Sequence, residues 1–286
     1  MEPFKFDVGS GSIAGIRSTP AGASRARLIA FHGGGYDHHY WHDPENSAAS
    51  LPLLGAELGF ETLVPDRPGY AGSRDGWPTG LSVADQVDVL GPSALFDTQL
   101  PVFVIGHSTG GSLAIAMAAS AYADRIAAID VSGVALRYPP ETAERRSRLS
   151  RLTATGASHL PAFDLNARRA VFFSDPRHYD AAVPARTPDN PMPTVEYADA
   201  VTGPAIMPEQ MRHIRCPVRW TAAAHEATSE TGEPLLSYVR GLLTMSRYVE
   251  TWLQDASGHN VSQHHVARAY HLRAFAFFEE VMARRL

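Results

Sequence analysis

Short apolar segments that alternate with helix-like segments restrict most strongly how this 286-residue chain can fold. Six apolar segments have the pattern of core strands, at residues 27–31, 61–66, 101–106, 125–133, 216–224 and 246–254. Helix-like segments follow the first three strands and the last one, at residues 48–58, 82–90, 112–122 and 264–286. This alternation predicts a mostly parallel sheet with helices on both faces.

The segment before the first core strand has a different pattern. Residues 4–8 and 13–18 flank a Gly-Ser-Gly-Ser turn, which predicts a β-hairpin. Glycine-rich clusters follow three of the core strands, at residues 32–35, 66–73 and 106–111. Because ligands of parallel α/β sheets bind at the carboxyl ends of the strands, we expect the functional site near these clusters.

The segment Gly106-His107-Ser108-Thr109-Gly110 matches the pattern G-x-S-x-G at a predicted strand-to-helix turn. Glycines allow a sharp turn to pass close to neighbouring backbone. The turn holds the serine at a helix N-terminus, where unpaired N–H groups favour negative charge. A purely structural turn is the alternative, but the setting favours Ser108 as a catalytic nucleophile.

A second motif, His32-Gly33-Gly34-Gly35, directly follows the first core strand. A tetrahedral intermediate needs two N–H donors directed at its oxygen, and glycines supply them without crowding the substrate. We therefore expect an oxyanion hole formed by the N–H groups of Gly34 and Thr109, with Gly35 as a further donor.

These motifs, together with Asp66–Ser73 and the segment Ser257-Gly258-His259-Asn260, make the chain resemble the α/β-hydrolase superfamily. The resemblance covers nearly the whole chain. It implies the α/β-hydrolase fold, in which a mostly parallel central sheet is flanked by helices and carries an inserted helical cap. It also implies a nucleophile, an acid and a histidine in that chain order. The family branch with His-Gly-Gly-Gly usually has Asp where this chain has His107, so the chain is not placed in that branch.

The resemblance implies His259 as the catalytic base. This residue lies on a turn of small residues after the last strand and before the closing helix, where the family has its base. Three more histidines, His264, His265 and His271, fall on the predicted closing helix. We expect those three on its exposed polar face.

The catalytic acid has two candidates. Alignment with the family pattern implies Glu226, which follows the strand at 216–224. The alternative is Asp130, late in the strand at 125–133, although a carboxylate in a core strand can also be a buried structural group. In either case the acid would hold the imidazole in one tautomer and stabilise its charged form.

Residues 137–213 contain no convincing strand and predict a helical cap inserted between two parts of the core, 1–136 and 214–286. The first half of this cap is rich in arginine: Arg145, Arg146, Arg148, Arg151, Arg168 and Arg169. A solvated helix face is the simplest explanation. The functional alternative is a surface for an acidic partner, such as a carrier protein, or for an anionic substrate.

The segment after the oxyanion motif is rich in aromatic residues. We expect Tyr36, Tyr40 and Trp41 to form a wall of the substrate pocket, the alternative being that they only pack this loop. We also expect His107 to contact the substrate from the nucleophile turn. The same segment also contains a carboxylate and three histidines: Asp37, His38, His39 and His42. No strand or helix spacing orders them into a metal site, so the sequence predicts neither a metal nor another cofactor.

Composition limits the partners that this chain could bind. The net charge of −5 predicts no general affinity for nucleic acids or anionic membranes. No apolar run approaches the ~20 residues that span a bilayer, and the N-terminus lacks a secretory pattern. The lone Cys216 excludes an internal disulfide. These features predict a cytoplasmic protein.

The motifs together predict a serine hydrolase that cleaves a carboxylic ester or a lactone of a small molecule through an acyl-enzyme intermediate. One alternative is a thioesterase acting on acyl groups bound to a carrier protein or to CoA. An alternative of another class is a non-hydrolytic receptor that keeps the hydrolase fold and its pocket.

Overall fold

The computed structural model describes residues 1–153 and 156–285, and the side chains among them outside residues 148–153. These residues form eight strands: β1 (Glu2–Val8), β2 (Gly11–Ser18), β3 (Ala26–Phe31), β4 (Phe60–Pro65), β5 (Val102–His107), β6 (Ala128–Ser132), β7 (Val218–Ala223) and β8 (Val249–Gln254). All eight belong to one sheet with the order β1-β2-β4-β3-β5-β6-β7-β8.

The sheet is mostly parallel, as predicted. Strands β1 and β2 form the expected antiparallel hairpin, and β2 also pairs antiparallel with β4. Every other pairing, from β4 through β3 to β8, is parallel. Because parallel strands share one direction, the segments that follow β3, β5 and β7 meet at one edge of the sheet.

The described residues form nine α-helices: α1 (Leu51–Glu57), α2 (Val83–Leu90), α3 (Thr109–Ala118), α4 (Pro140–Thr153), α5 (Leu165–Arg168), α6 (Val183–Arg186), α7 (Thr194–His213), α8 (Glu233–Leu242) and α9 (Ala267–Arg284). Helix α8 was not predicted, although its buried Leu235, Leu236, Val239 and Leu242 follow a helical spacing. None of the described helices combines the length and hydropathy needed to cross a membrane.

The helices cover both faces of the sheet, as expected for a parallel sheet. One apolar cluster packs the sheet against α2, α3, α7 and α8. A second cluster packs the opposite face against α1 and α9. The strands between these two layers, such as β5, are buried along their whole length.

Helices α4 to α7 occupy the segment between β6 and β7 that the sequence predicts as a cap. The described residues before α7 include the helices α4 to α6 and one isolated bridge between His159 and Pro193. The second half of α7 differs, because Met207 and Met211 belong to the main apolar cluster of the sheet. The segment is therefore packed into the core at its C-terminal end.

Candidate active site

Ser108 lies on the turn between β5 and α3, with a positive φ of 54° and a ψ of −120°. A non-glycine residue rarely adopts this conformation, and it is retained here because its surroundings fix the turn. The Ser108 N–H donates to Ser132 O at 2.8 Å. A Cβ at Gly106 would lie 2.3 Å from Gly110 O, and one at Gly110 would lie 2.3 Å from Phe31 O. Both motif glycines are thus required by close backbone contacts.

His259 lies on the loop after β8 and contacts the predicted acid. Its Nδ1 is 2.7 Å from Glu226 Oε2, and both side chains are at most 5% exposed. The other carboxylate oxygen of Glu226 accepts hydrogen bonds from Thr228 N and Thr228 Oγ1, at 2.7 and 2.8 Å. Both oxygens of the buried carboxylate are therefore bonded, and one of them faces the imidazole.

The charge state of Glu226 follows from these contacts. Burial by itself raises the pKa of the carboxyl. The charge of His259 and the hydrogen bonds from His259 and Thr228 outweigh burial, so the pKa of Glu226 lies below its usual value. Glu226 is thus ionised at neutral pH and can stabilise a protonated His259.

Asp130, the other candidate acid, lies on β6 and faces a different partner. Its Oδ2 accepts from Arg219 Nη1 at 2.5 Å, and neither side chain is exposed to solvent. Tyr270 donates a long hydrogen bond of 3.4 Å to its other oxygen. Asp130 thus belongs to a buried ion pair between neighbouring strands, whereas Glu226 contacts the imidazole.

The predicted oxyanion residues lie directly beside the nucleophile. A Cβ on Gly33 would be 3.2 Å from Ser108 Cβ. Gly34, Gly35 and Thr109 all line the same cavity as Ser108 and His259. Thr109 is the first residue of α3, so its N–H has no partner within the helix. The Thr109 amide is thus available to an oxygen bound next to Ser108, and the role of Gly34 and Gly35 stays a prediction.

The cavity has a volume of about 140 Å³ and an apolar wall contributed by the cap segment. That wall comprises Leu160, Pro161, Phe163, Val171, Phe172 and Met192. Of the four predicted pocket residues, only Tyr36 lines it. Its hydroxyl accepts from Asn260 Nδ2 at 2.6 Å, which connects the pocket to the His259 loop.

Tyr40, Trp41 and His107 do not line the cavity, and their prediction as pocket residues is wrong. Trp41 is 1% exposed and packs against Tyr40 and His271 in the core. The His107 ring stacks on Tyr40 with 4.4 Å between ring centres, and contacts the His259 ring edge-on at 4.7 Å. Burial, then the charge of His259, holds the pKa of His107 well below its usual range, so it adds no charge beside His259.

A buried ion pair behind the oxyanion loop was not predicted. Arg67 Nη1 and Nη2 donate to the two carboxylate oxygens of Glu196 at 2.6 and 2.9 Å, and neither side chain is exposed. Arg67 also donates to Thr109 Oγ1 at 3.1 Å and to His32 O at 2.8 Å. Tyr70 OH donates to Glu196 at 2.9 Å. The pair thus joins α7 of the cap segment to both predicted oxyanion segments.

We expect the variant Glu196→Gln to lower the free energy of unfolding by about 3–5 kcal/mol, because it leaves the Arg67 charge buried without a counter-ion. Urea denaturation at pH 7 measures this loss. A double variant, Arg67→Met with Glu196→Met, removes both charges and is expected to recover most of the stability. A loss below about 1 kcal/mol in the single variant would contradict a tightly coupled pair.

Two of the histidines expected on an exposed helix face are instead buried. His264 precedes α9 and its Nε2 accepts from Gly258 N at 3.0 Å, next to the base. His271 is fully buried on α9, with Nδ1 2.8 Å from Ala49 O and Nε2 3.0 Å from Ser262 Oγ. Only His265 is exposed. The prediction failed because polar contacts with distant loops do not appear in a helical periodicity.

Two buried histidines, His32 and His271, make the free energy of unfolding depend on pH. Burial, aided by the charge of Arg67, lowers the pKa of His32 to about 4, and burial lowers that of His271 to about 4. Below pH 6.5 the unfolded chain binds protons that the folded protein does not. The contribution of these two histidines to the free energy of unfolding is therefore complete above pH 6.5 and decreases as the pH falls towards 4.

We expect each of these histidines to contribute about 2 kcal/mol to the loss of unfolding free energy between pH 7 and pH 5. Chemical denaturation at the two pH values measures the loss. The variant His271→Gln keeps a donor and an acceptor without a titrating ring, so its loss should be smaller. The exposed-site control His265→Gln should behave as the wild type, and equal slopes in all three proteins would contradict the assignment.

The side chains of Asp37, His38 and His39 lie within 4.8 Å of one another and could together contact a metal. Both carboxylate oxygens of Asp37 and the Nδ1 atom of each histidine already have partners. Asp37 Oδ1 is 2.9 Å from His39 Nδ1, and His38 Nδ1 is 2.8 Å from Asp66 Oδ1. The expectation that the chemistry needs no metal stays a prediction.

The cap arginines do not share one surface. Arg145 and Arg146 line the cavity. Arg168 is buried and donates to the carbonyls of Thr187 and Pro188, while Arg169 donates to Ala181 O. The side chains of Arg148 and Arg151 lie outside the described residues. Docking of an acidic carrier protein, and with it the thioesterase alternative, stays a prediction.

Comparison with known proteins gives many structural relatives of this fold. A thermostable carboxyl esterase from Bacillus coagulans superposes with a TM-score of 0.71 at 16% identity, covering 98% of each chain. The enol-lactonase from Burkholderia xenovorans superposes with a TM-score of 0.68 at 19% identity, covering 96% of this chain and 99% of that one. At such low identity, these superpositions show that the fold is shared.

Sequence comparison gives a nearer relative. Esterase Rv0045c of Mycobacterium tuberculosis is 30% identical over 161 residues, which are 54% of this chain and 48% of the esterase. The chain thus matches about half the length of this curated relative. The profile of the family described as "Alpha/beta hydrolase family" matches residues 28–283, from within β3 to within α9. The chain belongs to the alpha/beta hydrolase family.

Proposed function

We propose that this protein is a serine hydrolase that cleaves carboxylic esters or lactones of small molecules through an acyl-enzyme intermediate. One observation carries the proposal. Ser108 and His259 line one cavity, and the buried carboxylate of Glu226 lies 2.7 Å from Nδ1 of that histidine. A nucleophile and a base that face one cavity, with an acid bonded to the base, form the set of groups that this chemistry requires.

The contact with Glu226 determines which nitrogen of His259 acts as the base. When Nδ1–H donates to the carboxylate, Nε2 has a free electron pair. We infer that Nε2 takes the proton of Ser108 as Oγ forms a bond to the substrate carbonyl carbon. The positive charge that develops on the ring is stabilised by the ionised Glu226.

The amides of Gly34 and Thr109 are proposed to donate to the oxyanion of the tetrahedral intermediate. When the intermediate collapses, the bond between the carbonyl carbon and the leaving oxygen breaks. That oxygen takes the proton from His259. A water molecule then attacks the acyl-enzyme and gives a proton to His259, which returns it to Ser108 as the acid is released.

The volume and the lining of the cavity support a small substrate. Its volume of about 140 Å³ and its wall of Phe163, Phe172 and Met192 suit a short apolar acyl or alcohol group. The esterase and lactonase names of relatives are consistent with oxygen-ester chemistry.

Hydrolysis of a panel of p-nitrophenyl acyl esters, lactones and acyl thioesters tests the proposal. We expect turnover of short p-nitrophenyl esters or of lactones well above the background of the variant Ser108→Ala. Turnover of thioesters alone would favour the thioesterase alternative. No turnover of any class would contradict the proposed function and favour a receptor that binds without hydrolysis.

A further inference from the structure

We infer that Arg146, with Tyr197 and Arg145 beside it, forms a subsite of the cavity that binds a carboxylate carried by the substrate. This inference rests on the proposed function and names a substrate class for it: esters or lactones that bear a free carboxylate distant from the scissile bond. All three side chains line the same cavity as Ser108 and His259.

The guanidinium of Arg146 is held in place by aromatic rings and not by a counter-ion. It lies 4.5 Å from the centre of the Tyr138 ring and 5.8 Å from the centre of the Tyr197 ring. Tyr138 is itself fixed, because its hydroxyl donates to Ala200 O on α7 at 2.5 Å. The stacking leaves the N–H groups in the guanidinium plane available for a planar acceptor.

Two buried polar atoms of this wall have no partner among the described residues. One is Nε of Arg146 and the other is the hydroxyl of Tyr197, in a residue that is only 5% exposed. Buried donors are nearly always bonded in folded proteins, and an unsatisfied one costs free energy. The Tyr197 hydroxyl lies close to Arg146, because burial raises the pKa of that hydroxyl and the guanidinium lowers it in part. One acceptor oxygen of a ligand placed between the two groups can bond to both.

The charge of the wall is also unbalanced. Neither Arg145 nor Arg146 forms an ion pair with any carboxylate of the described residues. Asp189 also lines the cavity, but it is exposed and lies beside Gly35, where its Oδ1 would be 3.9 Å from an added Cβ. The half-buried Arg146 and the exposed Arg145 therefore place positive charge beside the space in which the substrate would bind.

A carboxylate fits this wall better than a neutral group. Its two oxygens can accept in-plane hydrogen bonds from Arg146 and one from Tyr197, and charge-assisted bonds of this kind are about twice as strong as neutral ones. Apart from Asp189 and Asn190, the rest of the cap wall is apolar, so the carboxylate would be linked to the ester by a short hydrocarbon chain.

Matched ester pairs test the inference. The mono-p-nitrophenyl esters of succinic, glutaric and adipic acid carry a carboxylate at three distances, and p-nitrophenyl butyrate, pentanoate and hexanoate are neutral counterparts. The quantity compared is the ratio of kcat/KM between the charged and the neutral ester. We expect the wild type to prefer a charged ester at one chain length, and Arg146→Met to lower that ratio about 10- to 100-fold.

Two variants serve as controls. Arg146→Lys keeps the charge without the planar fork and should give an intermediate ratio. Arg169→Met removes a cap arginine that does not line the cavity, and its ratio should equal that of the wild type. An equal ratio in the wild type and in Arg146→Met, with both proteins folded by circular dichroism, would overturn the inference.

The binding of monomethyl glutarate, measured by calorimetry, separates this inference from the proposed function. If the wild type cleaves no ester, the proposed function fails. The subsite is still supported if Kd is about 10-fold or more weaker for Arg146→Met than for the wild type. Equal Kd values in the two proteins, or no binding to the wild type, would overturn the subsite whatever the outcome of the hydrolysis assay.

Discussion

The variant Ser108→Ala is expected to lower kcat for a p-nitrophenyl ester by about 10⁴- to 10⁶-fold, because it removes the atom that forms the acyl-enzyme. The remaining rate would come from the oxyanion donors and from substrate binding alone. The change deletes one oxygen from a partly buried residue, so the fold should be retained. Steady-state kinetics with the ester that the wild type cleaves best measures the effect.

Ser112 provides a matched control for this variant. It lies one helical turn further along α3, and its hydroxyl is 3.4 Å from Ser108 O. Ser112→Ala removes the same atom type from a serine near Ser108 without touching the cavity, so we expect kcat within about threefold of the wild type. If Ser108→Ala kept more than one hundredth of the wild-type kcat, Ser108 could not be the nucleophile.

The variant Glu226→Gln is expected to lower kcat by about 10³- to 10⁴-fold while the fold is retained. The reason lies in the contacts of the carboxylate. One oxygen accepts from both the N–H and the hydroxyl of Thr228, so the glutamine oxygen must take that place. The glutamine NH₂ then faces His259 Nδ1 and forces the proton onto Nε2. In that tautomer the ring cannot take the proton of Ser108.

The comparison with Asp130→Asn decides between the two candidate acids. Asp130 is paired with Arg219, so its replacement should reduce stability and leave kcat of the folded protein near the wild-type value. Glu230 is exposed and lies four residues after Glu226. The variant Glu230→Gln therefore provides a surface control, and its kcat should match that of the wild type. Loss of activity in Asp130→Asn, together with full activity in Glu226→Gln, would contradict the assignment of Glu226.

Local sequence signals were sufficient for the fold and for the positions of Ser108 and Gly34. A Cβ at Gly106 or Gly110 would lie less than about 3 Å from neighbouring backbone atoms, so only glycine fits at these positions. A requirement of this kind is visible in the sequence as a glycine. Strand and helix periodicity identified the parallel sheet in the same way. The family pattern pointed to His259 and Glu226, which the structure brings to within 2.7 Å.

Long-range polar contacts could not be predicted. Arg67 and Glu196 are 129 positions apart, and each looks like an ordinary surface charge in the sequence. Thr228 contacts both Glu226 and His259, yet no spacing distinguishes it from other threonines of its loop. The prediction that Trp41 lines the pocket failed for a related reason, since an aromatic residue after the oxyanion motif can face either the pocket or the core. Which side it faces depends on packing with distant helices.

Labelling with a fluorophosphonate tests most directly whether Ser108 is an activated nucleophile. The probe bonds covalently to a serine only where a base and an oxyanion hole act together. By intact-mass measurement and peptide mapping, we expect one adduct on the wild type, located at Ser108, and none on Ser108→Ala. No adduct on the wild type, or an adduct that persists in Ser108→Ala, would contradict the proposed active site.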